Sequence, residues 1–238
     1  MTLPTHGVFF LGGALLSLGL ARKRLEPLQY RTALDSIPLA VLLSLIGARL
    51  AYLSIHPDLW THPVEWFQFW RGGMVSYGGL GGAWLGLLHG THRAKLKALP
   101  FFDRLTPCLL AGWGVGRLGC FITWFGEEGT PTHLPWAVTI AGTHYHPTLL
   151  YLSGSILILS FYCWRYPGQR VGDTAYLGAT GFFLLRAFFD MFRAYHPEHL
   201  RILSQSVSAL LAILCYRKWQ RQASAGIQRI EKSSRSGR

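Results

Sequence analysis

The sequence predicts an all-α integral membrane protein with seven transmembrane helices. Half of its 238 residues are hydrophobic and only 14% are charged. Apolar runs recur along the chain at lengths that can cross about 30 Å of hydrocarbon, for which roughly 20 helical residues suffice. A spanning sheet would need a closed barrel built from alternating segments about half as long, so a helical bundle is expected instead.

The seven predicted spans follow one another along the chain. They cover Thr5 to Ala21, Ser36 to Ile55, Met74 to His89, Pro107 to Trp124, Thr148 to Trp164, Thr174 to Phe192, and Ile202 to Trp219. Basic residues follow the first span rather than precede it, so it is expected to stay in the mature protein. Residues 1–222 form one predicted membrane domain. The Ser-, Lys- and Arg-rich end, residues 223–238, is predicted to be a disordered cytoplasmic tail.

Alternate connections between the spans are basic, which predicts the orientation of the chain. The residues that follow spans one, three and five are Arg22, Lys23, Arg24, Arg31, Arg93, Lys95, Lys97, Arg104, Arg165 and Arg170. The tail after span seven is also basic, whereas the other connections contain few such residues. Because cytoplasmic loops are enriched in Lys and Arg, the N-terminus is predicted outside and the C-terminus in the cytoplasm. The net charge of +12 is then expected to meet anionic lipid headgroups and not nucleic acid.

Two outer connections are long enough to have structure of their own. The aromatic segment HPDLWTHPVEWFQFWRGG predicts an interfacial helix in the outer headgroup layer. The Gly-, Pro- and Thr-rich segment FGEEGTPTHLPWAVTIAGTHYHP contains a short β-prone piece, AVTI. We expect this second segment to fold back over the bundle as a cover for a site.

Glycines and cysteines within the spans mostly indicate packing. Gly82, Gly86 and Gly112 belong to sets spaced four residues apart, a spacing that lets helix backbones approach closely. The four cysteines, which lie in predicted spans without paired ligand spacing, are Cys108, Cys120, Cys163 and Cys215. They predict no zinc site and no disulfide framework, and three are interpreted as small apolar packing residues. No metal or cofactor is predicted.

Two arginines lie inside predicted spans and point to function. Arg117 is in span four and Arg186 is in span six. A cation at this depth costs about 3 kcal/mol or more unless it faces a partner or a wet cavity, so such residues are rare outside functional sites. Two of them suggest one anionic ligand.

Motifs in order along the chain resemble those of one enzyme family. The motifs are GARLAY, HPVEWFQFWRGGMVSYGGLGG, GRLGCFITWFGEEGTPTHLPWAV, HPTLLY, LLRAFFDMFR and LSQSVS. From the first span to the last, their order and spacing resemble the prolipoprotein diacylglyceryl transferase family. The resemblance implies a multi-pass enzyme of the bacterial inner membrane that moves the diacylglyceryl group of phosphatidylglycerol onto the lipobox cysteine thiol of a preprolipoprotein. Its implied partners are that lipid, that protein and the bilayer, with no cofactor and no particular oligomeric state.

The resemblance also implies site residues. The expected catalytic residues are Arg117, Arg186, Tyr77 and His146. The expected headgroup-binding residues are Arg117, Arg186, Arg49, Ser76, Gly78, Gly79, Asp190, Arg193 and Gln205. The substrate brings its own thiol nucleophile, so the enzyme mainly has to hold a phosphodiester, for which the arginine fork is suited. Tyr77 stands where the family usually has a histidine, and either Tyr77 or His146 is expected near the thiol proton.

Structural alternatives remain for several of these residues. Arg49 could extend to the interface or pair with Asp35. Asp190 could form an internal ion pair with a neighbouring arginine that holds spans together. His146 could anchor the fifth helix.

Several positions depart from the family's motifs. Polar family residues are replaced by Cys120, Thr123, Leu149, Leu152 and Phe182, and the nearby acids Glu127 and Glu128 are shifted along the chain. These departures leave two alternative functions: a phospholipid-binding homologue without transferase activity, and a lipid-group transferase with a different acceptor.

Overall fold

The computed structural model describes residues 5–68, 72–123, 129–194 and 199–236, which form seven α-helices and one β-hairpin. The helices are α1 Thr5–Arg24, α2 Pro27–Ile55, α3 Ser76–Arg93, α4 Ala98–Thr123, α5 Thr148–Arg165, α6 Asp173–Phe189 and α7 His199–Ser236. The hairpin consists of β1 Val138–Ile140 and β2 Thr143–Tyr145. Each of the seven predicted spans therefore corresponds to one α-helix. Trp124, Glu127 and Glu128 lie outside the described residues.

The helices present apolar side chains outward. Exposed examples are Leu11 on α1, Leu50 on α2, Ile158 and Phe161 on α5, and Leu184 on α6. Among the described residues, five helices are long and apolar enough to cross a membrane, namely α2, α4, α5, α6 and α7. The glycines and histidines of α3 lower its hydropathy, and α1 ends in three basic residues. Length and composition thus support at least a multi-pass arrangement.

The chain divides into two compact units, which are described separately. The smaller unit is Leu25–Phe101 and contains α2 and α3. The larger unit combines Met1–Arg24 with Phe102–Arg238 and contains α1, most of α4, and α5 to α7.

In the smaller unit, a stripe of glycines on α3 packs against the backbone of α2. A Cβ atom added at Gly78 would meet the carbonyl of Gly47, and one added at Gly82 would meet the carbonyl of Leu43. At Gly86 it would meet Ala40 Cα at 2.5 Å. The close packing predicted for Gly82 and Gly86 is confirmed, because only a residue without a side chain fits at this separation.

In the larger unit, α4 is held between α1 and α5 by small and hydroxyl side chains. Gly112 packs against Gly13 of α1, which also confirms the packing role predicted for Gly112. Ser153 and Ser160 of α5 donate hydrogen bonds of 2.7 Å to the carbonyls of Gly114 and Pro107. Such bonds satisfy polar groups inside the bundle and fix α4 lengthwise against its neighbours.

The connection after α2 differs from the single interfacial helix predicted for it. Two 3₁₀ helices, Pro57–Thr61 and Pro63–Phe67, take its place. Each begins at a proline, which cannot continue the backbone hydrogen bonding of a preceding helix, so one continuous helix is interrupted here. Trp60 and Phe67 on these turns are exposed, as an interfacial location would require.

The last helix is longer than the sequence predicts. The backbone of α7 stays helical through Ser236 and so includes residues 223–236, for which disorder is expected from composition. Its Ala, Gln, Arg, Glu and Lys residues are good helix formers, which compensates for the low hydrophobicity of the segment.

Candidate active site

Four charged side chains that the sequence singles out are buried. Arg117 is 9% exposed and Arg186 is 3% exposed, and the corresponding values for Asp190 and Arg49 are 3% and 6%. Arg117, Arg186 and Asp190 belong to the larger unit, whereas Arg49 belongs to the smaller one. Burial of charge on this scale is costly without specific partners, which marks both places as candidate functional positions.

Helices α4 and α6 run side by side, and their register places Arg117 and Arg186 at the same height. The Asp103 carboxylate of α4 accepts the N–H groups of Gly172 and Ala175 where α6 begins, at 2.5 and 2.8 Å. Farther along, a Cβ atom at Gly178 would meet Thr106.

An aromatic contact continues the packing of α4 against α6. The rings of Trp113 and Phe182 meet edge to face with centroids 5.5 Å apart. Arg117 is four residues after Trp113, and Arg186 is four residues after Phe182. Residues four apart lie on the same helical face, so Arg117 and Arg186 occupy the same level of the bundle. The Arg117 guanidinium carbon is 5.8 Å from the Trp113 ring centroid, and its Nη1 lies 3.7 Å from Cys120 Sγ.

The end of α6 continues this polar region into α7. A short 3₁₀ turn, Asp190–Phe192, follows α6. The buried Asp190 carboxylate accepts a 2.5 Å hydrogen bond from the Ser204 hydroxyl of α7. Gln205, beside Ser204, is half-buried. We call the region around Arg117, Arg186 and Asp190 the arginine end of the larger unit.

Backbone pairing ties the predicted cover to the arginine end. Gly129 forms a bridge with Arg193, and the Thr130 N–H donates to the Phe192 carbonyl at 2.8 Å. The same segment pairs on its other side with β2, where Pro131 forms a bridge with Tyr145, and the following His146 N–H donates to the Thr130 carbonyl at 3.1 Å. The β-prone piece predicted in this connection is confirmed as β1. The described part of the cover is therefore paired with the chain that follows α6.

His146 sits between the cover and α5. Its ring contacts Phe192 and Tyr151, with centroids 5.1 and 6.1 Å away, and its carbonyl accepts the Thr148 N–H at the start of α5. These contacts support an anchoring role for the residue. Within the described residues, the buried Nδ1 of His146 and the buried Nε1 of Trp113 have no hydrogen-bond partner. Buried polar atoms normally have a hydrogen-bond partner, so both atoms can form a hydrogen bond with a ligand or a water molecule.

Arg49 has partners of a different kind. Its Nε donates to the Trp66 carbonyl at 3.2 Å, and its Nη1 donates to the carbonyls of Gly72 and Gly73, each at 2.9 Å. Its Nη2 donates to the Glu65 carbonyl. Within the described residues, none of these side-chain bonds goes to Asp35, which is exposed.

The remaining predicted site residues of the smaller unit cluster where α3 begins. Ser76 and Tyr77 are its first two residues and are half-buried. Gly78 and Gly79 follow and face α2, with Gly79 next to Ser44 and Ala48. The structure thus brings Arg49, Ser76 and Tyr77 to one end of the α2–α3 pair. The ligand-binding roles of these residues stay predictions.

Four of the positions that the resemblance predicts to differ from the family's motifs are buried and apolar, namely Cys120, Leu149, Leu152 and Phe182. Phe182 packs on Trp113, and Leu149 and Leu152 of α5 are almost inaccessible. Sequence reasoning missed Trp113 and Ser204, which contact Arg117 and Asp190. Trp113 carries a detectable signal, because it precedes Arg117 by one helical turn. Ser204 has none, since a serine in an apolar helix usually bonds its own backbone.

The outward-facing apolar helices and the buried arginines define a multi-pass helical membrane protein with a polar site between its helices. The family model for prolipoprotein diacylglyceryl transferase matches residues 1–217. The chain therefore belongs to the prolipoprotein diacylglyceryl transferase family.

Relatives from several bacteria share most of their length with this chain. A phosphatidylglycerol–prolipoprotein diacylglyceryl transferase of Finegoldia magna is 31% identical over 214 residues, covering 87% of this chain and 85% of the relative. Enzymes of the same name from Verminephrobacter eiseniae and Bordetella parapertussis are each 30% identical. Their matches cover 79% and 74% of this chain, and 76% and 72% of the relatives. These similarities identify the chain as a member of an enzyme family of transferases.

Proposed function

We propose that this protein transfers the diacylglyceryl group of phosphatidylglycerol to the lipobox cysteine of a preprolipoprotein. Family membership supports the reaction class. The observation that carries the proposal for this chain is the α4–α6 register, which brings Arg117 and Arg186 to one level among buried polar atoms. Two arginines at one level suit a phosphodiester. The phosphodiester is first bound as an anion and later leaves as a phosphate with additional negative charge.

The proposed topology has seven spans, with the N-terminus outside and the C-terminus in the cytoplasm of a bacterial inner membrane. All seven predicted spans coincide with helices, and five of those helices have the length and hydropathy of a membrane span. The alternation of basic connections supports the orientation. In this arrangement the arginine end and its cover face the outer leaflet, where a lipobox cysteine would arrive.

In the proposed reaction the substrate thiolate attacks the glyceryl carbon that carries the phosphodiester oxygen. A C–S bond forms as the C–O bond breaks, and glycerol phosphate leaves with the bonding electron pair. Arg117 and Arg186 hold the phosphate oxygens and stabilise the negative charge that moves onto the leaving group. Arginine keeps its charge when desolvated, so both side chains can do this in a buried site.

The thiol must also lose its proton. An unperturbed thiol has a pKa of about 8.5, so the positive field of two arginines favours its thiolate form. In the proposal Tyr77 orients the thiol or the phosphate through its hydroxyl, which can both donate and accept. His146, whose buried Nδ1 has no partner in the described part of the chain, takes the proton.

The remaining polar residues support the headgroup site in this proposal. Asp190, fixed by Ser204, maintains the end of α6 beside Arg186. Arg193 and Gln205 complete the polar surface at the arginine end, and the cover excludes water from the reacting groups. Ser76, Gly78 and Gly79 serve the start of α3, where Tyr77 lies.

The test is transfer from phosphatidylglycerol to a lipobox peptide by the purified protein in detergent. We expect wild type to form the thioether product. Removal of either cation in Arg117→Ala or Arg186→Ala should lower kcat/KM by about 100-fold or more, as for loss of a transition-state charge contact. Arg165→Ala, at the end of α5, is the matched control and should keep wild-type activity. Bound lipid without product from a folded wild type would contradict the proposal and favour a non-catalytic homologue, whereas lipid consumption without peptide product would favour a different acceptor.

A further inference from the structure

The bonds of Arg49 leave it almost no capacity for a phosphate. A guanidinium has five N–H donors. Four of them are used on backbone carbonyls, one from Nε, two from Nη1 and one from Nη2. Paired recognition of a phosphate needs two N–H groups on one edge of the fork, so binding a headgroup would require breaking part of this set.

The carbonyls that Arg49 binds belong to the connection between α2 and α3. Two lie in the second 3₁₀ helix, at Glu65 and Trp66, and two lie at Gly72 and Gly73. One buried cation therefore joins two separate parts of the connection to α2. The bonds are charge-assisted, which makes them roughly twice as strong as bonds between neutral groups.

The two glycines just before α3 have a backbone conformation that permits this contact. Gly72 and Gly73 have φ values of +82° and +71°, in the left-handed region that glycine favours. A Cβ atom at Gly73 would lie 2.6 Å from the Tyr52 ring and 2.8 Å from Arg49 Nη1. The Arg49 guanidinium carbon is itself 5.3 Å from the Tyr52 ring centroid. Gly73 is thus enclosed by Tyr52 and Arg49.

A further bond carries this anchoring to the first turn of α3. Two residues after Gly73, the Val75 N–H donates to the Ala48 carbonyl of α2 at 3.0 Å, next to Arg49 in sequence. Val75 is the N-cap of α3, and its carbonyl accepts the Gly79 N–H at 3.2 Å. The position of the first turn, with Ser76 and Tyr77, therefore depends on how Gly72 to Val75 are held.

We infer that Arg49 is a positioning residue, which holds the Gly72–Val75 segment by its backbone carbonyls and so sets where Tyr77 stands, and that it is not a headgroup ligand. The inference rests on the proposed function for its effect on turnover, because Tyr77 is the group it positions. Its effect on the backbone is independent of turnover. The Arg49 guanidinium thus binds the protein's own carbonyl oxygens and not the oxygens of a phosphate.

The experiment compares Arg49→Gln with Arg31→Gln in the full-length protein in detergent. Arg31 is an exposed residue of α2, so its variant removes the same charge from the same helix without touching the connection. Three quantities are measured: exchange of the Val75 amide hydrogen with solvent, the Kd for phosphatidylglycerol, and kcat for thioether formation. Arg49→Gln should speed exchange at Val75 and lower kcat by about 100-fold, the loss expected when a reacting group shifts by about 1 Å. Its Kd should stay within about twofold of wild type, and Arg31→Gln should match wild type throughout.

A weakened lipid affinity with unchanged Val75 exchange would overturn the inference, because that pattern belongs to a headgroup ligand. Failure of the proposed function has a different signature, since wild type itself would then form no product while Val75 exchange still reported on anchoring. Gly73→Ala covers the case in which Arg49→Gln does not fold. It retains the guanidinium but displaces the segment from Tyr52 and Arg49, so it should reproduce the faster exchange and the lower kcat with the same Kd. Wild-type values for Gly73→Ala would likewise overturn the inference.

Discussion

At the scale of single residues, two buried arginines in one fold use the same side chain differently. Arg49 donates to backbone carbonyls, whereas Arg117 lies against the Trp113 ring and a cysteine sulfur, which are weak acceptors. Four of the five N–H groups of Arg49 are used on backbone carbonyls, so this side chain acts as a structural anchor. Burial alone therefore does not identify a ligand-binding arginine, and the chemistry of its neighbours does.

Substitution of His146 and Tyr77 can identify the residue that accepts the thiol proton. His146→Ala should lower kcat by about 100-fold, the range for loss of a general base, and added imidazole should restore part of it. Tyr77→Phe should lower kcat by about tenfold through loss of one hydroxyl contact, without any response to imidazole. Thioether formation at increasing imidazole concentration is the measurement. An imidazole response in Tyr77→Phe but not in His146→Ala would reverse the two assignments.

At the scale of elements, the α2–α3 pair depends on the absence of side chains along one face of α3. Gly82 faces the Leu43 backbone, whereas a Cβ atom at its neighbour Gly81 would meet nothing within 4 Å. Backbone atoms of a packed helix cannot rotate away as side chains do, so the helices must separate to admit a methyl group.

This difference gives a matched pair of substitutions. Gly82→Ala should lower the free energy of unfolding by about 2 kcal/mol, the cost of overpacking a tight contact. Gly81→Ala should leave it within about 0.5 kcal/mol or raise it slightly, since alanine favours the helix. Thermal unfolding in detergent measures both. Equal midpoints for the two variants would show that α2 and α3 are not packed as closely as the structure has them.

Sequence patterns predicted which helices exist better than they predicted where elements end or which residues they contact. Apolar run length located all seven helices, and four-residue spacing identified the packing glycines. The two prolines after α2 were visible in the sequence, yet their effect on the aromatic connection depends on local hydrogen bonding that composition does not encode. The partners of Arg49 were not predictable, because backbone carbonyls carry no sequence signal. The Trp113–Phe182 contact needed the register of two helices separated by α5.

At the scale of the whole molecule, the alternation of basic connections predicts the proposed orientation in the bilayer. A fluorescent protein fused after Arg238 should fluoresce in the cytoplasm. Alkaline phosphatase inserted at Gly142, in the exposed hairpin turn with open space around it, should be active outside. The two reporters exchanged between these positions serve as controls and should both be inactive. Phosphatase activity from the C-terminal fusion would contradict the seven-span arrangement.

The Asp103 carboxylate has a consequence for how the chain is made. It accepts two N–H groups at the start of α6, where a new helix would otherwise enter the bilayer with unsatisfied donors. Asp103 precedes these donors by about seventy residues, so the ribosome has already delivered the acceptor when α6 emerges. The chain therefore contains the acceptor for the first turn of α6 before it contains the donors.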